Sequence, residues 1–160
     1  ELTDGRVYLN MRSYHGEHCR AVATSRDGGI TWTRAEPDAA LISPCCQASL
    51  IRYNPSDTKD RSIVLFSNPA HVSKRLAMTV RLSYDEGATW PVRRLLTPGA
   101  RPGGEGEYGS QGHTRQFTAD ATHAEPRGYL AATQTPDGVI HLISSGLHYR
   151  FNLAWLAPDR

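Results

Sequence analysis

The stretch SYDEGATW (residues 83–90) repeats the skeleton of SRDGGITW (residues 25–32), since both read Ser-x-Asp-x-Gly-x-Thr-Trp. In each octad the Asp can accept hydrogen bonds from backbone N–H groups of its own turn, and the Gly allows a positive φ. The Thr and Trp enter the next strand, where we expect the Trp ring to be buried between sheets. Folding therefore uses every position of the octad, and we expect Asp27 and Asp85 to be structural.

Short β-type runs alternate with turn signals along the rest of the chain. Asp-Gly, Asn-Pro, Pro-Asp-Gly and Gly-Gly sequences separate the runs, as is usual between antiparallel strands. The pattern predicts strands at residues 5–14, 19–25, 32–36, 48–53, 62–67, 77–83, 90–96, 129–135, 139–145 and 151–156. Short strands at this spacing are typical of all-β sandwiches, barrels and propellers.

The spacing of the octads favours a propeller. They start 58 residues apart, and each lies at the same hairpin of a four-strand unit, so the strands group as three, four and three. We therefore predict an all-β fold, a partial β-propeller in which residues 1–160 form a single domain of three blades. Because three blades leave open sheet edges, we expect the chain to belong to a longer protein.

Residues 99–128 interrupt this pattern, because they show no periodicity and begin rich in Gly. Long irregular segments inside compact domains are usually functional or disordered. We interpret residues 99–128 as a functional loop insertion, since its side chains include several suited to a site. These are Tyr108, His113, Arg115, His123 and Arg127.

Composition excludes several classes of protein. The chain of 160 residues is 39% hydrophobic and 21% charged, as in soluble globular proteins. A net charge of +2 gives no reason to expect a nucleic-acid or membrane partner. Three cysteines, of which Cys45 and Cys46 are adjacent, predict neither a disulfide framework nor a metal site.

The octads and their flanking segments resemble the sialidase (neuraminidase) family, whose Asp-box the octads match. The matching segments are ELTDGRVYLNMRSY, CRAVATSRDGGITW, CQASLIRY, LFSNPA, RLAMTVRLSYDEGATWPV and GYLAATQTPDG. They cover nearly the whole chain except residues 99–128. The resemblance implies a six-bladed propeller of which this chain is the C-terminal half, and a secreted or periplasmic location. No cofactor or metal is expected.

The resemblance also implies residues of an active site. The family's glutamate, which precedes an Asp-Gly turn, falls on Glu1, and its nucleophilic tyrosine, ahead of a Pro-Asp-Gly turn, falls on Tyr129. Two of its arginines open the strands that run into the Asp-boxes, and these fall on Arg20 and Arg75. A further arginine and an aspartate acid/base are implied for the N-terminal half.

Some of these assignments have rivals in the sequence. Arg12 and Arg81 are alternatives to the two arginines if the alignment slips, and Tyr108 is the rival of Tyr129. Gln47, at the start of a predicted first strand, and Arg127 are candidates for the wall of the pocket.

The implied residues suit the chemistry of sialic acid. Its anomeric carbon carries a carboxylate that would repel an anionic nucleophile, so a neutral phenol is the better attacker, and sialidases use a Tyr nucleophile. Because free tyrosine has a pKa of about 10, a neighbouring carboxylate is needed to accept its proton, which is the role expected of Glu1. Arginines supply planar, permanently charged donors for the substrate carboxylate.

Strand order gives an independent expectation about where these residues lie. Arg20 and Arg75 open strands that the octads close, so the arginines belong at the end of the blades opposite the octads. Tyr129 opens a first strand and belongs at the same end. Glu1 is expected inside an innermost strand lining the central channel.

We therefore expect a retaining exo-α-sialidase-like glycoside hydrolase acting on a sialylated glycan or another acidic sugar. The fragment alone should be inactive because part of the implied site is missing from it. The alternative is a non-catalytic glycan-binding Asp-box propeller, which keeps the fold and some arginines. Neither nucleic acid nor a membrane is expected as a partner.

Overall fold

The computed structural model of the chain describes most of its length. The described residues are 1–56, 59–73, 75, 77–96, 104–110, 113–119, 129–144 and 147–158. They form three antiparallel sheets, a two-stranded hairpin and one short helix. The fold is therefore nearly all-β.

The strands follow one another in chain order within each sheet. The first sheet contains β1 (Val7–Met11), β2 (Cys19–Ser25) and β3 (Glu36–Ile42). The second contains β4 (Ser49–Arg52), β5 (Val64–Pro69), β6 (Met78–Ser83) and β7 (Val92–Leu95). The hairpin is β8 (Gly104–Ser110) with β9 (His113–Ala119), and the third sheet contains β10 (Leu130–Gln134), β11 (Ile140–Ser144) and β12 (Leu147–Phe151).

The predicted grouping of strands into three, four and three is confirmed. Each group is an antiparallel meander, the architecture of a propeller blade. The second sheet lies between the other two, and every residue of β5 and β6 is buried. Its apolar side chains pack towards the third sheet, where Leu65, Val80 and Leu82 meet Leu130 and Leu142.

The two octads form nearly identical turns, as predicted. In the first, Ser25 Oγ donates to Asp27 Oδ1 (2.7 Å), and the N–H and hydroxyl of Thr31 donate to the two carboxylate oxygens (2.9 and 2.5 Å). Gly29 has a φ of 96° and donates its N–H to Ser25 Oγ (2.8 Å). Because a side chain is strained at such a φ, the turn requires glycine.

The second octad repeats these bonds around Asp85, which accepts from Ser83 and from both donors of Thr89. The Thr31 hydroxyl and N–H hold the pKa of Asp27 well below its usual value. Burial raises the pKa of Asp85, but the bonds from Thr89 and Ser83 outweigh it, so this pKa is lowered too. Both carboxylates are used by their own turns, which agrees with a structural role.

The tryptophans of the two octads lie in different environments, and Trp32 is not buried as expected. The Trp90 ring packs against Phe66, with centroids 5.8 Å apart. Trp32 is 40% exposed, and its indole N–H donates to the carbonyl of Gly29 in its own turn (3.0 Å). The reason is position, since among the described residues no further sheet lies on that side of the first sheet.

Two predicted strands, 32–36 and 151–156, were wrong in their limits or type. β3 begins at Glu36 instead of residue 32, and the last strand is Leu147–Phe151. The predicted final strand is replaced by α1 (Leu153–Leu156), which Asn152 starts by accepting the N–H of Trp155 with its side chain (2.9 Å). Among the described residues, no helix has the length and apolarity needed to cross a membrane.

The predicted loop at residues 99–128 contains the hairpin of β8 and β9. Their register pairs Tyr108 with Arg115. The run from residue 113 to 119, HTRQFTA, carries β-branched and aromatic residues, which suits a strand. Arg127 lies outside the described residues.

Candidate active site

The strands have two opposite ends, and different residues lie at each of them. The octads follow β2 and β6, and we call this the octad end. At the opposite end, the site end, Arg12 follows β1, Arg75 precedes β6 and Tyr129 precedes β10. Strand order predicts that Arg20, Arg75 and Tyr129 share the end opposite the octads, and in the structure each of them lies where its strand begins.

Arg75 and Tyr129 are in direct contact at the site end. The guanidinium carbon of Arg75 lies 5.0 Å from the centre of the Tyr129 ring, within the range of a cation–π interaction. Tyr129 is 50% exposed. The phenol is thus held beside a cation and remains open to solvent.

Arg12 is the second arginine near Tyr129. An interaction with the Cys45 side chain raises the pKa of Arg12. Burial lowers this pKa, and the Tyr129 side chain raises it. The guanidinium also stacks on Tyr14, with 4.7 Å between its carbon and the ring centre. Arg12 itself is exposed, so its guanidinium is accessible to a ligand.

Arg20 lies near the start of β2, at the site end, and differs from Arg12 and Arg75 in its burial. It is buried, and its guanidinium donates to Asn10 Oδ1 (2.7 Å), the Asn10 carbonyl (3.3 Å) and the Cys46 carbonyl (2.7 Å). Burial lowers the pKa of Arg20. These bonds tie the first sheet to the second, so Arg20 holds the scaffold while Arg12 reaches Tyr129.

Arg81, the alternative to Arg75, is also buried. Its Nη1 donates to Asn68 Oδ1 (2.8 Å), and the amide of Asn68 donates to the carbonyl of Ile42 in the first sheet (2.7 Å). Burial lowers the pKa of Arg81 to about 10. Arg81 therefore joins two sheets, whereas Arg75 faces Tyr129.

Glu1 lies at the octad end, away from Tyr129. Its carbonyl accepts a hydrogen bond from Arg52, the last residue of β4, and Thr3 donates its N–H and hydroxyl to Glu86 (2.8 and 2.7 Å). The Asp-Gly turn delays β1 until Val7. Among the described residues Glu1 precedes the first strand, and the structure does not bring it to the tyrosine.

Gln47 lies at the site end but is directed towards the backbone of the third sheet. Its Oε1 accepts the N–H of Leu130 (3.0 Å), the residue after Tyr129. Burial raises the pKa of the neighbouring Cys46 thiol, while Arg75, Ser43 and Arg20 oppose that shift. Residues 45–47 thus lie between the arginines and the tyrosine strand.

From the sequence Arg12 is only an alternative to Arg20, although its position at a strand end opposite the octads also fits a site residue. Arg12 directly follows β1 and so leaves the sheet at the site end. The arrangement can bind an anion between two exposed guanidinium groups and present a phenol beside it. Planar bidentate donors of this kind suit a carboxylate.

The fold and these residues define a class, an Asp-box β-propeller segment with an arginine–tyrosine site. The profile of the BNR repeat-like domain matches residues 1–153. The chain therefore belongs to the sialidase/BNR-repeat family.

Individual relatives agree with this assignment. The chain is 34% identical over 163 aligned residues to a sialidase of Micromonospora viridifaciens, covering 98% of this chain and 21% of that protein. It is 39% identical over 99 residues to a sialidase of Bacteroides fragilis, covering 60% of this chain and 18% of that protein. The chain thus spans about a fifth of these relatives.

Solved structures show the same fold. The structure of the Hadza microbial sialidase Hz136 matches with a TM-score of 0.68 and 28% identity, covering 95% of this chain and 26% of that one. The solved structures that this chain resembles are sialidase β-propellers. The chain is therefore a partial propeller of the sialidase type.

Proposed function

We propose that the full-length gene product is an exo-sialidase that removes terminal sialic acid, or a related acidic sugar, from glycoconjugates with retention of configuration. The observation that carries the proposal is the contact of Arg75 with the half-exposed ring of Tyr129, with the exposed Arg12 at the same end of the blades. The names of the relatives support the same class of reaction.

In this proposal Arg12 and Arg75 bind the substrate carboxylate. Both guanidinium groups are exposed at the site end, and both are permanently charged at neutral pH. A carboxylate held between them places the anomeric carbon, to which it is attached, near the Tyr129 hydroxyl. Positioning of this kind can supply a large part of a rate enhancement.

Tyr129 acts as the nucleophile. Its oxygen forms a bond to the anomeric carbon as its proton passes to a base, and the glycosidic C–O bond breaks as the leaving oxygen takes a proton from an acid. Water then attacks the same carbon and gives a proton to the group that acted as the acid, while the bond between that carbon and Tyr129 breaks and Tyr129 recovers its proton from the base. Two inversions give net retention.

The base and the acid are assigned to the remainder of the full-length protein. Glu1 was expected to be the base, but its carbonyl is bonded to Arg52 at the octad end, while Tyr129 lies at the site end. The matched region is 21% and 18% of the two relatives named above, which leaves ample sequence for both groups in a full-length protein of that kind.

The same geometry favours one second candidate, a glycan-binding propeller without activity. Two exposed arginines beside an aromatic ring can bind an acidic sugar by themselves. Such a protein would bind sialosides reversibly and would need neither base nor acid. The position of Glu1 is the observation that keeps this candidate open.

A fluorogenic sialoside distinguishes the two functions. We expect the full-length gene product to hydrolyse it with retention, as followed by NMR of the first sugar anomer released, and we expect Tyr129→Phe to lose most of the activity. Tyr14→Phe, which removes an exposed hydroxyl at the same end, is the matched control. Saturable sialoside binding without hydrolysis would establish the glycan-binding propeller instead.

A further inference from the structure

We propose that Gln47 is a positioning residue for Tyr129, an inference that rests on the function proposed above. Its side-chain oxygen accepts the N–H of Leu130 at 3.0 Å, so the amide of Gln47 fixes the backbone atom next to the tyrosine. Gln47 reaches across from the second sheet to the third, and it is half-buried.

The need for such a bond follows from the place of β10 in its sheet. Among the described strands, β10 is an edge strand paired with β11, and an edge strand has backbone groups without a ladder partner. Two of its N–H groups are taken by side chains of the second sheet, Leu130 by Gln47 and Ala132 by Ser49, each at 3.0 Å. Side chains thus attach the two edge strands to each other.

Tyr129 directly precedes β10, whose described register with β11 starts with Leu130 and Ser144. The bond to Gln47 is therefore the attachment closest to the tyrosine on its C-terminal side among the described residues. A shift of about 1 Å in a reacting group can reduce a rate by about 100-fold. Loss of this bond should accordingly lower the rate of attack by Tyr129.

The residues before Gln47 attach the same segment to the first sheet. The carbonyl of Cys46 accepts from buried Arg20 (2.7 Å), and the side chain of Cys45 interacts with Arg12. Cys45 adopts a φ of 56°, which is uncommon for a residue with a side chain. Residues 45–47 therefore fix the distance between Arg12, which follows β1 of the first sheet, and Tyr129, which precedes β10 of the third sheet.

Gln47→Met tests the proposal, because it keeps the length of the side chain and removes the acceptor. Ser49→Ala is the matched control, since it removes a bond of the same kind and length two residues further along. A 3-fluorosialosyl fluoride serves as the trapping probe, and an unsaturated sialic acid analogue reports binding alone. In the full-length protein, we expect Gln47→Met to slow trapping of Tyr129 by about 10- to 100-fold with an unchanged Kd for the analogue.

Hydrogen exchange of the Leu130 amide gives a readout that does not depend on activity. We expect exchange to be about tenfold faster in Gln47→Met, as for the loss of one net hydrogen bond. Gln47→Glu, which keeps an acceptor oxygen, should preserve the protection of Leu130. Ser49→Ala should release Ala132 and leave trapping unchanged.

Three results would overturn the role of Gln47: an unchanged trapping rate in Gln47→Met, equal slowing in Ser49→Ala, or a weakened Kd that marks Gln47 as a substrate contact. If the unsubstituted protein is not trapped at all, the proposed function fails. Exchange of the Leu130 amide then decides the structural claim, and unchanged exchange in Gln47→Met refutes it.

Discussion

The guanidinium carbon of Arg75 lies 5.0 Å from the centre of the Tyr129 ring, although the two residues belong to different blades. Both lie where a strand begins, β6 and β10, and the second octad lies where β6 ends. The octads thus mark one end of the blades, and the residues proposed for chemistry lie at the other.

Replacing Arg75 by Lys should weaken the binding of a sialic acid analogue. Lysine keeps the charge but loses the planar, bidentate donors and the flat contact with Tyr129. We expect Kd to rise by about tenfold, which corresponds to part of a charge-assisted hydrogen bond. Isothermal titration of the full-length protein measures this. Arg34→Lys, at a 90% exposed side chain, is the control, and an equal loss there would argue against a specific role.

Arg12 and Arg20 should respond differently to the same substitution. Arg20→Met leaves the Cys46 carbonyl and Asn10 without their donor, so we expect a loss of about 1–3 kcal/mol in the free energy of unfolding. Arg12→Met removes an exposed side chain, so stability should change by less than about 0.5 kcal/mol. Urea unfolding measures both.

Binding of the sialic acid analogue should be weakened more by Arg12→Met than by Arg20→Met, the reverse of their effects on stability. Arg12→Met removes a proposed carboxylate donor, and Kd should rise by about 10- to 100-fold. If Arg20→Met weakens binding more than Arg12→Met while the protein stays folded, the assignment based on sequence alone is correct and ours is not.

Glu1→Gln should leave hydrolysis unchanged, because Glu1 lies at the octad end. Glu86→Ala, in contrast, removes the acceptor of Thr3 and the carboxylate that pairs with Arg52 at 2.8 Å. We expect faster hydrogen exchange at the Thr3 amide in this variant. A large loss of turnover in Glu1→Gln would restore Glu1 as the base.

Stability should fall in acid through Asp27 and Asp85. Both carboxyls have a lower pKa in the folded chain than their usual value, so the unfolded chain binds protons more readily and protonation favours unfolding. Their contribution is complete above about pH 4, the ordinary aspartate pKa, and is lost as pH falls through the lower folded values.

The double variant Asp27→Asn, Asp85→Asn tests this dependence. It should be less stable at neutral pH and should lose less stability than the unsubstituted chain between about pH 5 and pH 2. Urea unfolding at a series of pH values gives the slope of the unfolding free energy against pH for the double variant and for the unsubstituted chain. Glu36→Gln is the control, since its pairing with Arg34 is long (3.6 Å) and exposed. An unchanged slope in the double variant would contradict the role given to the octads.

The repeated octads were sufficient to predict the blade grouping, because their turns depend on bonds within eight consecutive residues. The choice between Arg12 and Arg20 as the exposed carboxylate donor could not be made from such local bonds. It depends on a register shift between Cys19 and Arg20 and on acceptors supplied by Asn10 and by the second sheet. The place of Glu1 likewise follows from contacts with Arg52, which is distant in sequence.

The identity of the residue that attacks the sugar is the central claim, and covalent trapping tests it most directly. The full-length protein is treated with a 3-fluorosialosyl fluoride, digested and examined by mass spectrometry. We predict one sugar adduct on the peptide that contains Tyr129 and none in Tyr129→Phe. An adduct on another residue, or undiminished hydrolysis by Tyr129→Phe, would contradict the account.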